Sequence, residues 1–411
     1  MKVVKVTLLA VLVALVAVGV STTAYSFHSG GVAECGGCHS MHSPAAGGSF
    51  LLVGSDQSSA CLTCHEGPTL SGYHVSTSPS ALGAGQAPVN RTPGGDFGWL
   101  KKDYTFAIRG SVVNESGATH GHNIIADDFL YTIDPENATA PGGTFPSAQL
   151  ACNSCHDPHG QYRRLTGNII SKTGAPIMAS GSYNGAGNEP TATEAVGVYR
   201  LLAGAGYTKD GVTFLGVPAA KVPSSYNRTE ASTQTRVAYG VNTASGHVNW
   251  GTWCSTCHPG MHSSGNYVHP NDESLGSTIA SLYNSYVKTG DATGDIATSF
   301  SSLNPFATAG DYAALATASG TTTGPGTSDQ VMCLSCHRAH ASGFEYMLRW
   351  EQEYEFITKA GTYGGTDVTP TDNALSRGRT NAEKVASYYD RPATVFATYQ
   401  RVLCNKCHAK D

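Results

Sequence analysis

The chain has 411 residues, a formal net charge of −5 at pH 7, and only 13% charged residues beside 48 glycines. Because about a quarter of an ordinary globular protein is charged and about 7% is glycine, this composition favours turns and loops over long helices. It contains no basic stripe suited to nucleic acid and no lysine-rich amphipathic face suited to a membrane surface. A surface with so few charges also has little electrostatic repulsion between copies, which permits self-association.

The N-terminus has the features of a secretory signal. A basic start precedes an apolar run over residues 6–20, and small residues come before Phe27. The run is shorter than the ~18 residues that a spanning helix needs. We therefore predict a signal peptide over residues 1–26 that is cleaved on export, and a single secreted domain over residues 27–411 with no membrane span.

One five-residue pattern, Cys-x-x-Cys-His, accounts for all twelve cysteines. In c-type cytochromes the two thiols of this pattern add to one porphyrin, and the histidine becomes the proximal ligand of the iron. Zinc ribbons, redox dithiols and disulfide scaffolds also use paired cysteines, but none of them requires histidine in the fifth position. We therefore predict six covalently bound haem c groups, attached at Cys35 and Cys38, Cys61 and Cys64, Cys152 and Cys155, Cys254 and Cys257, Cys333 and Cys336, and Cys404 and Cys407, with proximal ligands His39, His65, His156, His258, His337 and His408.

The motifs begin 26, 91, 102, 79 and 71 residues apart, without a fixed period. Roughly 64 residues remain for each haem, fewer than an ordinary domain contains, so we expect the haems to act as the core. The predicted fold is a multihaem cytochrome c, predominantly coil and loop with short α-helices and little β structure, wrapped around a continuous chain of six haems. Apolar spacing predicts helices over residues 274–288, 309–318, 343–360 and 381–389, and no convincing strand ladder is apparent.

Histidine can supply all six distal ligands, because ten histidines lie outside the motifs. Methionine is the competing ligand, but Met1 leaves with the signal and Met332 abuts Cys333, so too few methionines remain. We predict six bis-histidine irons and no catalytic residue. Three motifs extend to Cys-His-x-x-His, and a histidine three positions beyond the proximal ligand reaches a neighbouring haem rather than the distal side of its own. These histidines are His42, His159 and His340, and His262 follows His258 by four. For His120 and His247 we expect solvated or hydrogen-bonded side chains.

Five stretches resemble the outer-surface hexahaem cytochromes of metal-reducing Geobacter, the extracellular cytochrome nanowire family: FHSGGVAECGGCHSMH (27–42), TPGGDFGWLKKDYT (92–105), CNSCHDPHGQYRRL (152–165), CLSCHRAHASGF (333–344) and YQRVLCNKCHAKD (399–411). The resemblance runs over residues 27–411. The sequence departs from the family where Glu66-Gly67-Pro68 follows His65 without a further histidine, and in having His247.

The resemblance implies a coil-rich fold, bis-histidine haems in alternating stacked and T-shaped pairs, and head-to-tail filaments. It implies that His42 ligates the haem at Cys333, Cys336 and His337 of the next subunit. It also implies that the six distal ligands are drawn from eight candidates, His28, His42, His74, His122, His159, His262, His269 and His340.

The leading functional hypothesis is an extracellular filament that receives electrons from periplasmic or outer-membrane cytochromes and passes them to metal oxides, electrodes or partner cells. One alternative is a multihaem oxidoreductase of the nitrite or hydroxylamine type, which needs an iron with an open coordination position. Another is a periplasmic electron shuttle that does not polymerise. The surplus of histidines over iron positions weighs against the enzyme.

Overall fold

The computed structural model describes residues 35–42, 44–45, 49–67, 74–158, 164–165, 169–170, 202–204, 206–216, 218, 220–221, 237–241, 248–262, 269–299, 304–308 and 323–408. The predicted signal peptide and the predicted helix over residues 309–318 lie outside these ranges. So do His28, His159 and His247. In the described ranges, no helix is both long enough and apolar enough to cross a membrane.

The α-helices of the described residues are short, and the longest has ten residues. Two of them confirm the helices predicted over residues 274–288 and 381–389. The helices are α1 (Cys35–Cys38), α2 (Gln57–His65), α3 (Trp250–Ser255), α4 (Pro259–His262), α5 (Gly276–Ser285), α6 (Cys333–Cys336), α7 (Asn373–Ser376), α8 (Asn381–Ser387) and α9 (Asn405–His408). Single 3-10 turns add Pro79–Ala81, Phe97–Lys101, Gly117–His120, Asp127–Phe129, Ser147–Gln149, Cys152–Ser154, Glu345–Met347 and Ala393–Val395.

Local capping explains where two of these helices begin. The Asp56 carboxylate accepts a hydrogen bond from the Ser59 amide at 2.8 Å and caps α2. At α8, Thr380 and Glu383 form a reciprocal capping box. Such caps satisfy amide groups that have no partner inside the helix, which short helices need most.

Each described strand pairs with a strand that is next to it in chain order. They are β1 (Tyr104–Ile108), β2 (Ser111–Glu115), β3 (Arg164–Leu165), β4 (Ile169–Ile170), β5 (Thr208–Lys209), β6 (Val212–Thr213), β7 (Ala220–Lys221), β8 (Ala238–Gly240) and β9 (Ala307–Thr308). The first six form three antiparallel pairs, and β7, β8 and β9 form a three-stranded sheet in which β8 and β9 run parallel. The fold is therefore mostly coil with short helices and little sheet, as predicted.

The β1–β2 hairpin is a regular strand pair that the sequence analysis missed. Tyr104 and Phe106 are buried and alternate with exposed residues, and Phe106 lies opposite Val113. Both turn residues, Arg109 and Gly110, have positive φ angles, as a two-residue hairpin turn requires.

The prediction of a helix over residues 343–360 is wrong. Only Glu345–Met347 makes a short turn, and within it Tyr346 has a φ of 57°. The backbone of this segment pairs elsewhere, because the Arg349 amide donates to the Cys336 carbonyl and the Ile357 amide to the Gln400 carbonyl. These tertiary hydrogen bonds outweigh the helical spacing of the apolar residues.

Small apolar clusters pack against several of the haem motifs. The largest of those among the described residues comprises Phe344, Leu348, Trp350, Ile357, Tyr363, Tyr388, Phe396 and Leu403. Within it, the rings of Tyr363 and Tyr388 stack with their centroids 4.5 Å apart. The expectation that haems act as the core is therefore qualified, since the polypeptide also has small apolar clusters of its own.

A buried ionic cluster joins the hairpin to the C-terminal part of the chain. Its buried members are Glu115, Glu351, Arg377, Arg379 and Lys384, and the half-buried Glu345 pairs with them. The Nη2 atom of Arg377 lies 3.2 Å from Glu115 and 3.0 Å from Glu345, and Arg379 pairs with Glu115. Buried charges persist only when they are paired, so this cluster fixes how the hairpin packs.

Candidate haem-binding sites

The spacing of the attachment motif has a local structural explanation. In four motifs the amide of the histidine donates to the carbonyl of the first cysteine, closing one helical turn. Residues three and four apart share one face of such a turn, so both thiols and the imidazole project to the same side. The four bonds are His156 to Cys152, His258 to Cys254, His337 to Cys333 and His408 to Cys404, at 3.0 to 3.1 Å.

Motifs that are far apart in the chain meet through their cysteines. The thiols of Cys61 and Cys152 lie close enough to shift each other's pKa, as do those of Cys254 and Cys333. Burial raises the pKa of the Cys155 thiol to about 12, with a smaller contribution from Cys257. The second motif is thus adjacent to the third, the third to the fourth, and the fourth to the fifth.

Backbone carbonyls orient several of the candidate ligand rings. Since a carbonyl can only accept a hydrogen bond, the Nδ1 atom of each ring must carry the proton. Nε2 is then unprotonated, and its lone pair can bind iron. The bonds run from His39 to Phe50 (2.8 Å), His258 to Pro141 (2.9 Å), His337 to Tyr346 (2.6 Å) and His122 to Ala339 (2.7 Å).

Three distal candidates each lie opposite a proximal histidine. Ring centroids are 6.0 Å apart for His122 and His258, 6.3 Å for His156 and His340, and 6.2 Å for His269 and His408. Two metal–nitrogen bonds of about 2 Å, with about 1 Å more from each nitrogen to its ring centre, require about 6 Å between centroids. These residues therefore fit a six-coordinate haem iron between each pair.

A cradle of Gly94, Gly95 and Gly121 holds His340. A Cβ on Gly94 would lie 2.9 Å from the His340 ring, and one on Gly121 would lie 2.4 Å from the His340 carbonyl oxygen. The Gly94 carbonyl accepts from the His340 amide at 2.7 Å, and Phe97 stacks on the ring with centroids 4.7 Å apart. Only glycine allows the backbone to approach this closely.

The second motif lacks a nearby histidine in sequence, but the fold supplies one. The amide of Val75 donates to the His65 carbonyl at 2.8 Å, and the amide of Gly67 donates to Ser76 at 2.9 Å. This pairing places the His74 ring against Gly67, where a Cβ would lie 2.9 Å from it. His74 is therefore adjacent to the motif that carries His65.

Other histidines have different surroundings. The His42 ring is exposed. His262 Nε2 lies 3.2 Å from the Asp272 carboxylate. The His120 side chain is buried, with Nε2 2.7 Å from Glu115, and burial lowers the pKa of His120. His120 is thus hydrogen-bonded, as expected.

A repeated unit around three motifs was missed in the sequence. Each Cys-His-x-x-His motif is followed by a return segment in which a leucine pairs antiparallel with the proximal histidine. The next residue donates its amide to the second cysteine of the motif. The pairs are His39 with Leu52, His156 with Leu202 and His337 with Leu348, and the donors are Val53, Ala203 and Arg349. The signal is an apolar pair at residues 51–52, 201–202 and 347–348, but its distance from the motif varies too much to form a period.

Six attachment motifs, with a second histidine about 6 Å from the proximal ring at three of them, define a multihaem c-type cytochrome. No protein-family model matches the chain. The chain is 49% identical to the C-type cytochrome OmcS of Geobacter sulfurreducens, over 94% of this chain and 95% of that protein. It therefore belongs to the OmcS family, which confirms the resemblance, and it binds six haem c groups covalently.

Two solved structures support the same conclusion. The cryo-EM structure of OmcS nanowires from Geobacter sulfurreducens matches with a TM-score of 0.81. The structure of the Outer Membrane Cytochrome S filament from the same organism matches with a TM-score of 0.78. Each is 48% identical and covers 94% of this chain and 100% of its own.

Proposed function

We propose that this chain is an extracellular electron-transfer protein that polymerises head to tail into conductive filaments. The observation that carries the proposal is its match to the OmcS nanowire subunit, with 48% identity and a TM-score of 0.81 over 94% of the chain. A similarity that spans the whole subunit includes the surfaces that contact other subunits. The protein transfers electrons and catalyses no reaction on a substrate.

Histidine pairs hold the irons in this proposal. Each haem, when bound, supplies an iron that gains and loses one electron. The opposed rings support His122, His340 and His269 as distal ligands opposite His258, His156 and His408. For the haems at His39 and His65 the remaining candidates are His28, His74, His159 and His262, of which His262 is least suited because Asp272 contacts its Nε2.

His42 supplies the sixth distal ligand, to the haem at His337 of the neighbouring subunit. His42 is exposed and follows Met41, which is 77% exposed, and the segment that pairs with this stretch contains Phe50, which is 76% exposed. Large exposed apolar side chains of this kind suit a protein contact. The pairing of His340 with His156 supports the same rule, because the second histidine of that motif reaches a haem attached elsewhere. A contact repeated head to tail then generates an open filament.

Export and electron exchange complete the proposal. The signal over residues 1–26 directs the chain to the periplasm, and residues 27–411 form the mature domain at the outer surface. Periplasmic or outer-membrane cytochromes donate electrons, and metal oxides, electrodes or partner cells accept them. The adjacency of Cys61 with Cys152 and of Cys254 with Cys333 supports a continuous haem chain through the subunit.

The variant His42→Ala tests the junction. We expect purified His42→Ala to carry six haems but to form short filaments or none in negative-stain images, with one haem in six losing its bis-histidine spectrum. The control His247→Ala removes a histidine that is not among the ligand candidates and should form long filaments. Long filaments of His42→Ala with an unchanged low-spin spectrum would show that another residue links the subunits. Unpolymerised wild-type protein would favour the periplasmic shuttle.

A further inference from the structure

The three return segments place different residues at one equivalent position. Val53, Ala203 and Arg349 each donate their amide to the carbonyl of the second cysteine of their motif, at 3.0, 2.9 and 2.8 Å. The local backbone pairing is therefore the same in all three units. Only the unit at Cys333 and Cys336 has a charged side chain at this position.

Arg349 is 1% exposed. Its Nε atom donates to the Leu334 carbonyl at 2.7 Å and lies 3.2 Å from the carbonyl of His337. Leu334 lies between the two attachment cysteines and His337 is the proximal histidine, so the guanidinium is held against the backbone of the attachment motif itself.

We propose that Arg349 raises the reduction potential of the haem attached at Cys333 and Cys336 relative to the haems of the other two units. Reduction adds one electron to the haem iron and lowers its charge by one. A fixed positive charge in a buried, weakly screened position favours that added electron. A guanidinium does not lose its proton in proteins, so the effect persists at any working pH.

Two acidic residues of the same return segment pair with a different arginine. Glu345 and Glu351 are both paired with Arg377, at 3.0 and 3.3 Å. In the other two units, the positions equivalent to Arg349 carry the neutral side chains of Val53 and Ala203. The chain therefore contains its own comparison between a charged and an uncharged version of one binding unit.

The consequence concerns the path of an electron. A haem of higher potential is the position where an electron resides longest as it moves along the subunit. If the proposed ligation by His42 holds, this haem is also the one at the subunit junction, and this last step alone rests on the proposed function.

Redox titration of the full, haem-loaded protein tests the proposal. Arg349→Met removes the charge and keeps an unbranched side chain of similar length, whereas Arg349→Lys keeps the charge. The matched control is Arg109→Met, which removes the same charge from the exposed turn of the β1–β2 hairpin. Optical titration under anaerobic conditions resolves the six one-electron steps together with the haem content and spin state.

We expect Arg349→Met to weaken reduction in one of the six steps by at least tenfold, which is about 59 mV for one electron. Arg349→Lys and Arg109→Met should titrate like the wild type. An unchanged titration of Arg349→Met would overturn the proposal, and an equal shift in Arg349→Lys would show that packing rather than charge is responsible. If Arg349→Met does not accumulate, Arg349→Gln is the second uncharged variant. If these variants still form filaments and keep a low-spin spectrum, an unchanged titration contradicts only the role of Arg349 and leaves the proposed function standing.

Discussion

Gly95 offers the sharpest test of how the chain positions a distal ligand. Its φ angle is +99°, and a Cβ added to it would lie 1.8 Å from the carbonyl oxygen of Ala341. In Gly95→Ala the backbone of Ala341 must therefore move by roughly 1 Å or more to reach an ordinary contact distance. Because Ala341 directly follows His340, this displacement pulls the His340 ring away from His156.

Two separate costs contribute to the effect of Gly95→Ala. A left-handed backbone costs an L-residue about 1–2 kcal/mol. Overpacking in a close-packed region adds about 1–3 kcal/mol. Gly110→Ala separates the two, since Gly110 also has a positive φ, +85°, but no heavy atom lies within 4 Å of its added Cβ. Gly95→Ala has both the backbone cost and the overpacking cost, whereas Gly110→Ala has only the backbone cost. Only Gly95→Ala should therefore disturb a haem.

The assay combines thermal melting with near-infrared and low-temperature magnetic spectra of the oxidised protein. We expect Gly95→Ala to lose the bis-histidine signature from one haem in six, and to melt at a lower temperature than Gly110→Ala. Gly110→Ala should keep six low-spin haems. Identical, fully low-spin spectra for the two variants would refute the reasoning that the glycine cradle positions His340.

Two further predictions concern the buried ionic cluster. Burial alone would raise the pKa of Glu115, but the hydrogen bond from His120 and the charge of Arg379 hold it below its ordinary value, so its stabilising effect is present above about pH 4 and is lost as the pH falls. Glu115→Gln should therefore lower the free energy of unfolding at pH 7 by about 3–5 kcal/mol and weaken the acid dependence of the melting temperature; an unchanged value would contradict this. Burial lowers the pKa of Lys384 to about 7, against about 10.4 when unfolded, so its charged form is penalised most below pH 7. Lys384→Met should raise the melting temperature at pH 6 and change it little at pH 10, whereas a loss of stability at pH 6 would show that the ion pair with Glu351 is net stabilising.

The sequence allowed the six haem groups and the general character of the fold to be predicted, because the attachment motif is local. In the four motifs at His156, His258, His337 and His408, the two cysteines and the histidine fall on one helical turn. The helices at α5 and α8 were also predictable, since apolar spacing at α5 and the Thr380–Glu383 capping box at α8 lie within each segment.

Features that depend on distant partners could not be predicted. The helical spacing of residues 343–360 was overridden by hydrogen bonds to Cys336 and Gln400, which no local pattern reveals. The pairing of His340 with His156 likewise depends on a loop at residues 94–97, which is far from both histidines in the sequence. The β1–β2 hairpin was predictable in principle, because alternating apolar residues flank the Arg109-Gly110 turn.

A cryo-EM reconstruction of filaments assembled from this chain tests the central claim most directly. The account predicts head-to-tail subunits in which density connects the His42 ring of one subunit to the haem iron bound by His337 of the next. Filaments in which the iron at His337 is ligated by a histidine of its own subunit, or purified protein that remains monomeric, would contradict it.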